Sequence, residues 1–159
     1  MSNANSNSVT IKNLESAFAG ESMAHIKYRY FAKLAREAGD LETARVFEET
    51  ADQEVMHAFG HLDLLFPKDT MTPSKALQYA IDGETYEYTE MYPSFRHEAV
   101  REGNEAAVRE IDEQIEESKE HAARFQQTLE KAAKRFAALA KVEERHAAHY
   151  RETLAKLAA

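Results

Sequence analysis

Apolar side chains recur along most of this chain at alternating steps of three and four residues, the period of a helix with one buried face. The first such segment covers residues 10–38, and Gly39 and Asp40 interrupt it. A second segment follows and ends before Pro67. Two prolines bound residues 67–73 (PKDTMTP), which are typical of a linker. The pattern therefore predicts a helix pair over residues 10–66 and a linker over 67–73.

The second half of the chain, residues 74–159, has the same helical period. A third helix is predicted from Ser74 to Arg101. Pro93 lies inside it and predicts a kink or a π-type irregularity, because proline removes an intrahelical hydrogen bond. After a break at Gly103 a fourth helix follows, and no Gly or Pro occurs from there to the C-terminus. The C-terminal segment either continues this helix or turns back near Ala132 as an additional helix.

The two halves form an internal repeat. Residues 17–22 (AFAGES) recur as 80–85 (AIDGET) at an offset of 63, whereas Gly39 and Gly103 are offset by 64. One residue has therefore been added between these points, in the stretch that contains Pro93. A duplicated helical hairpin predicts an all-α four-helix bundle with an additional C-terminal helix.

Composition narrows the chemistry that such a bundle can carry. The chain has no Cys, so a metal would need oxygen and imidazole ligands. Its formal charge of −8 is spread along helix faces without a basic stripe, which argues against nucleic acid as a partner. There is no apolar run of membrane-spanning length, and the polar start (MSNANSNS) has no leader pattern. We therefore expect a cytoplasmic location, a disordered tail over residues 1–9 and one folded domain over 10–159.

Several acidic side chains lie where the helices should bury apolar ones. Glu21, Glu54 and Glu84 share the phase of the apolar seam, and His57 lies one turn after Glu54. A Glu from each of two helices and a Glu-x-x-His pair from each of the others is the ligand pattern of ferritin-like di-iron and di-manganese bundles. A single Glu-x-x-His pair is more often a solvated surface pair, but the shared phase and the repeat favour a dinuclear metal site.

Three segments carry a resemblance to a known family. Residues 17–22 (AFAGES), 47–57 (FEETADQEVMH) and 83–93 (GETYEYTEMYP) closely resemble the rubrerythrin family, and the resemblance covers about residues 12–125. It implies a ferritin-like bundle with a non-haem di-iron centre that reduces hydrogen peroxide to water and protects against oxidative stress. Manganese or a mixed Fe/Mn centre is the alternative occupant. The implied iron ligands are Glu21, Glu54, His57, Glu84 and Glu87.

The resemblance also singles out two tyrosines and one further histidine. Tyr28 and Tyr92 match tyrosines near the family's metals and are the catalytic candidates, although either could be an ordinary core tyrosine. Aligned without gaps from residues 91–93, the family's fourth-helix glutamate falls on Ser118 and its histidine on His121. A serine cannot replace a bridging carboxylate. The sequence leaves two alternatives for the missing ligands, His121 beside Ser118 or the later pair Glu143 and His146.

Whether Glu143 and His146 can supply the missing ligands depends on the course of the C-terminal segment. If the chain turns back near Ala132, Glu143 lies as far past the turn as His121 lies before it, and Glu143 could complete the site. If the helix is continuous, the 25 residues from His121 to His146 span about 37 Å, and the second pair cannot serve the same site.

Two further expectations concern partners. Typical members carry a C-terminal rubredoxin domain with four cysteines, so this chain looks like the erythrin or symerythrin type and needs a separate electron-donor protein. In a ferritin-like bundle the second and third helices run parallel, and the linker must return roughly 30 Å along the bundle. Residues 66–73 reach at most about 28 Å. We therefore expect a domain-swapped homodimer that exchanges helix pairs.

The leading hypothesis is thus a di-iron peroxidase. The alternatives are an O₂-dependent di-iron oxidase or ferroxidase, an iron-binding protein without turnover, and a metal-free interaction module that uses the long C-terminal helices.

Overall fold

The structure is a computed structural model that describes residues 8–157. Within this range the chain forms helices and turns without strands. The helices are α1 (Val9–Glu37), α2 (Leu41–Leu65), α3 (Pro73–Tyr86), a π-helical turn (Glu87–Met91), α4 (Tyr92–Arg101) and α5 (Glu105–Leu157). Of the predicted tail, residues 1–7 lie outside the described part, and Val9 is already helical. No helix within the described range is both long enough and apolar enough to span a membrane.

The chain divides into two compact units, one ending at Met71 and the other beginning at Thr72. Hairpin one is α1 packed against α2, and hairpin two is α3, the π-helical turn and α4 packed against α5. Each is described here by itself.

The turns of both hairpins have the same structure, a glycine with a positive φ angle followed by a helix-capping residue. Gly39 and Gly103 have φ angles of 82° and 69°, in the left-handed region that glycine adopts without the clash of a Cβ atom. Each glycine precedes a capping residue. The Asp40 side chain accepts a hydrogen bond from the Thr43 backbone N–H, and Asn104 Oδ1 accepts one from that of Ala107. The duplicated hairpin predicted from the sequence is therefore matched by duplicated turns.

Small side chains line the contact between the helices of each hairpin. In α2 the buried residues are Ala44, Ala51 and Ala58, spaced by seven. In α5 they are Ser118 and Ala122. Because these side chains are small, the helix backbones can approach closely and bring longer side chains on neighbouring positions face to face.

The predicted irregularity at Pro93 is a π-helical turn. It covers Glu87–Met91 and ends directly before α4, where Pro93 occupies a first-turn position and needs no intrahelical partner for its nitrogen. A π turn adds one residue to a helix. This accounts for the change of the repeat offset from 63 to 64.

The C-terminal segment differs from one of the two expected arrangements. No turn forms near Ala132, and the predicted additional helix is the continuation of α5, which runs unbroken for 53 residues. The physical reason is local, because residues 130–141 (EKAAKRFAALAK) are mostly strong helix formers without a Gly or Pro to end the helix.

Candidate metal centre

Three predicted ligands meet in hairpin one. Glu21 of α1 and Glu54 and His57 of α2 each offer a ligand atom, and these atoms lie within 4.8 Å of one another. His57 Nδ1 is 2.9 Å from Glu54 Oε2 and 4.0 Å from Glu21 Oε2. The Glu54 side chain is only 17% exposed, although the carboxyl group is polar. Two carboxyl groups and an imidazole thus converge between α1 and α2.

Local sequence explains this convergence. Glu54 and His57 are three residues apart and share one face of α2, and Ala51 and Ala58 on the same side of the helix are buried against α1. His25 of α1 lies with Nδ1 2.7 Å from the carbonyl oxygen of Ala51. Because a carbonyl oxygen only accepts, His25 Nδ1 carries the proton, and the bond ties α1 to α2 beside the cluster.

The two carboxyl groups of this cluster are hydrogen-bonded to each other. The hydrogen bond with Glu54, and then desolvation, raise the pKa of Glu21. The pKa of Glu54 is lowered because it accepts that hydrogen bond and another from His57. The pKa values of the two groups are pushed apart because like charges this close cannot both ionise freely. Among the described residues no Lys or Arg forms an ion pair with either of them.

This arrangement fits a metal ion. Two carboxylates and one imidazole are ligands that iron, manganese and related divalent ions accept. An ion would supply the positive charge that no Lys or Arg ion pair gives these carboxyl groups among the described residues.

Hairpin two contains a second set of predicted ligands. His121 Nδ1 of α5 lies 3.4 Å from Glu84 Oε1 of α3, and the Glu84 side chain is 20% exposed. Ser118 Oγ, one turn before His121, donates a hydrogen bond of 3.1 Å to Glu87 Oε2 at the start of the π-helical turn. These are two pair contacts, and among the described residues only Glu21, Glu54 and His57 bring three ligand atoms within 4.8 Å of one another.

The two catalytic candidates have different surroundings. Burial, followed by the charges of Glu87 and Glu84, raises the pKa of Tyr92, which places the phenol beside the acidic groups of hairpin two. Tyr92 also packs edge-to-face on Phe95 at 6.4 Å between ring centroids. In hairpin one Tyr28 packs on Phe47 at 5.8 Å. The Tyr92 hydroxyl, protonated at neutral pH like that of any tyrosine, is thus a hydrogen-bond donor within the electrostatic influence of Glu87 and Glu84.

The pair Glu143 and His146 is separate from these groups. His146 Nδ1 lies 3.7 Å from Glu143 Oε2, and both side chains are more than half exposed. Because α5 is continuous, His146 is about 37 Å along the helix from His121. The arrangement in which a turn near Ala132 brings Glu143 level with His121 is therefore wrong within one chain. Metal binding by Glu143 and His146 stays a prediction.

The segment that contains Glu143 and His146 repeats part of α2. Residues 133–154 repeat 44–65 of α2 at an offset of 89, with identical residues at Ala44, Phe47, Ala51, Glu54, His57, Ala58 and Leu65. These positions include the buried alanines and both predicted ligands of α2. A comparison at constant offset would have found this relationship from the sequence. The end of α5 thus repeats the face of α2 that carries the predicted ligands.

Comparisons with known proteins agree with the motifs. The rubrerythrin family profile matches residues 12–66 and 63–129, about three quarters of the chain. The chain belongs to the rubrerythrin family. With this assignment, the expected family, its ferritin-like superfamily and the all-α fold class are confirmed. Domain swapping stays a prediction.

Individual relatives show how far the similarity extends. The chain is 40% identical over 111 residues to nigerythrin and 41% identical over 111 residues to rubrerythrin, both of Nitratidesulfovibrio vulgaris. These matches cover 62% and 63% of this chain but 55% and 58% of the relatives, so the chain spans little more than half their length. Rubrerythrin-1 of Clostridium acetobutylicum is 31% identical over 135 residues, 76% of this chain and 69% of the relative.

Fully reduced, all-ferrous nigerythrin aligns with 84% of this chain and 73% of its own at 33% identity, with a TM-score of 0.41.

Proposed function

We propose that this protein is a non-haem di-iron oxidoreductase that reduces hydrogen peroxide to water. The observation that carries the proposal is the convergence of Glu21, Glu54 and His57, two hydrogen-bonded carboxyl groups and an imidazole without a Lys or Arg ion pair among the described residues. Membership of the rubrerythrin family supports iron as the metal.

The proposed ligands come from both hairpins. Hairpin one would contribute Glu21, Glu54 and His57, and hairpin two would contribute Glu84, Glu87 and His121. Two ferrous ions, when bound, supply the two electrons that reductive cleavage of the peroxide O–O bond takes. The four carboxylates balance the charge of two divalent ions, and the two imidazoles hold the metals in place.

Tyr92 would act on the substrate side. Its pKa is raised by burial and by the charges of Glu87 and Glu84, so the phenol is protonated at neutral pH. It can donate a hydrogen bond to a peroxide oxygen and deliver one of the two protons that reduction to two waters takes, while water supplies the other proton and reprotonates the phenol. Tyr28 packs on Phe47, and we propose that Tyr28 positions this aromatic pair beside the site in hairpin one.

The 159 residues contain no Cys that could ligate a rubredoxin-type iron. We propose that a separate electron-donor protein returns the iron to the ferrous state.

Assembly of the full site would require two copies. The segment between α2 and α3, residues 66–72, is shorter than the return path that a ferritin-like bundle demands. Each hairpin also exposes large apolar side chains, such as Met56 and Phe59 in hairpin one and Tyr86 and Phe95 in hairpin two. We propose a homodimer that exchanges hairpins, so that each bundle contains hairpin one of one copy and hairpin two of the other.

Stopped-flow mixing tests the reaction. The anaerobically reduced, iron-loaded protein is mixed with hydrogen peroxide and, separately, with O₂, and the rise of ferric absorbance is followed. We expect faster oxidation by peroxide. Faster oxidation by O₂ would contradict the peroxidase and favour the oxidase or ferroxidase alternative.

A further inference from the structure

Ser118 is the single polar side chain among the described residues that is almost completely buried, with 3% of its surface exposed. Serine and threonine inside helices commonly donate their hydroxyl to the carbonyl four residues earlier. Ser22 does so to Phe18 at 2.7 Å, and Thr50 to Val46 at 2.9 Å. Ser118 instead donates across the hairpin to Glu87 Oε2 at 3.1 Å. Its hydroxyl therefore serves Glu87.

The internal repeat shows what Ser118 replaces. The offset of 64 that relates His57 to His121 also relates Glu54 to Ser118. The offset of 63 that relates Glu21 to Glu84 puts Glu87 opposite Ala24. Each hairpin thus has two carboxylates among its proposed ligands. In hairpin one the second is Glu54 on α2, whereas in hairpin two it is Glu87, in the π-helical turn that follows α3.

Resting on the function proposed above, we propose that Ser118 is a positioning residue for Glu87 that also limits the metal position of hairpin two to two carboxylates. The hydroxyl fixes one oxygen of Glu87 and leaves the other for a metal. Ser118 stands in hairpin two where the repeat has Glu54 in hairpin one. Because serine has no carboxyl group, hairpin two has no third carboxylate at this position.

The number of carboxylates decides which oxidation state the protein favours. Two carboxylates, Glu84 and Glu87, neutralise a divalent ion, whereas a third would offset the additional charge of a trivalent ion. A ligand set with less negative charge stabilises the reduced, divalent state relative to the oxidised one. Ser118 therefore makes the metal in hairpin two easier to keep ferrous.

Three substitutions separate the two roles. Ser118→Ala removes the hydroxyl, Ser118→Thr keeps it, and Ser118→Glu adds the third carboxylate. The matched control is Ser22→Ala, since Ser22 is next to Glu21 in sequence but donates to its own helix. The probes are anaerobic calorimetric titration of the full-length metal-free protein with Mn²⁺, and the reduction potential of the iron-loaded protein.

For Ser118→Ala we expect one class of Mn²⁺ sites to bind about tenfold more weakly, as is typical when a hydrogen-bond partner of a ligand is removed. Ser118→Thr should retain most of the wild-type affinity, and Ser22→Ala all of it. For Ser118→Glu we expect a reduction potential below that of the wild type. Equal Mn²⁺ affinity in Ser118→Ala and wild type, or an unchanged or higher potential in Ser118→Glu, would overturn the proposal.

Two controls keep the result decisive. Circular dichroism melts check folding, and if Ser118→Glu does not fold, Ser118→Asp takes its place and the Ala and Thr variants still decide the positioning role. A wild-type protein that binds no Mn²⁺ would contradict the proposed function itself. A wild type that binds Mn²⁺ normally while Ser118→Ala binds equally well would contradict the role of Ser118 alone.

Discussion

Glu21 of α1 and Glu54 of α2 lie opposite each other, and the hydrogen bond between their carboxyl groups raises the pKa of Glu21 and lowers that of Glu54. Both carboxyl groups lie within 4.0 Å of His57 Nδ1. The pair therefore links the protonation of hairpin one to its proposed metal site.

The first prediction concerns pH. The pKa of Glu21 is raised in the folded state, so the stability that its proton contributes is fully present below the ordinary glutamate pKa and is lost as pH rises through the raised value. Glu54 acts oppositely, because its lowered pKa contributes stability that is lost only as pH falls through that value. In metal-free protein we expect Glu21→Gln to gain stability relative to the wild type as pH rises from about 4 to about 7.

Urea unfolding at several pH values measures this difference. Glu15→Gln is the control, because Glu15 is exposed on α1 away from the cluster. A difference in unfolding free energy between Glu21→Gln and wild type that does not change with pH would contradict the raised pKa of Glu21.

The second prediction concerns stabilisation by metal. A ligand that binds only the folded state stabilises it by about 2.7 kcal/mol at a concentration of 100 times its dissociation constant. We expect Mn²⁺ to raise the melting temperature of the wild type and to raise it much less in His57→Ala, which lacks the imidazole of the cluster. Differential scanning calorimetry with and without the metal tests this, with His149→Ala on the distant end of α5 as the control. Equal shifts in wild type and His57→Ala would rule out His57 as a ligand.

The third prediction concerns Tyr92. Removing its hydroxyl in Tyr92→Phe leaves the edge-to-face packing on Phe95 in place but removes the donor beside Glu84 and Glu87. We expect peroxide to oxidise the ferrous protein about 10²-fold more slowly, the usual scale for loss of a proton donor, with unchanged iron content. Tyr28→Phe should have a smaller effect because Tyr28 packs on Phe47. An unchanged rate in Tyr92→Phe would mean that this tyrosine is structural.

The fourth prediction concerns the alanine seam. Ala51 is fully buried between α1 and α2, and its carbonyl oxygen is bonded by His25. Ala51→Leu should cost about 1–3 kcal/mol of unfolding free energy by overpacking, and should weaken metal binding because α1 and α2 are pushed apart. Ala148→Leu on an exposed face of α5 is the matched control. Full stability and metal binding in Ala51→Leu would show that the close approach of the helices is unnecessary.

Much of the fold follows from local signals in the sequence. Gly39 follows α1 and Gly103 follows α4, each at the turn of its hairpin, because only glycine adopts their positive φ angles without strain. Pro93 and the change of offset from 63 to 64 placed the additional residue where the π-helical turn is. The convergence of Glu54 and His57 on Glu21 could be predicted because polar side chains on an apolar helical phase stand out.

The course of α5 could not be predicted in the same way. A turn near Ala132 and a continuous helix bury similar side chains, and the absence of Gly and Pro favours continuity without excluding a turn. The hydrogen bond from Ser118 to Glu87 could not be predicted from the sequence either, because it depends on how one helix orients a side chain toward its neighbour. The resemblance to the family showed only that Ser118 stands where the family has a glutamate.

Elemental analysis of the protein after anaerobic iron loading and desalting tests the central claim most directly. The wild type and Glu49→Gln should retain about two iron ions per chain, because Glu49 faces away from the cluster and pairs with Arg45. Glu54→Gln should retain clearly less, because it removes a charged ligand that Glu21 and His57 cannot replace. Fewer than about one iron per chain in the wild type, or equal iron in Glu54→Gln and Glu49→Gln, would contradict the metal centre.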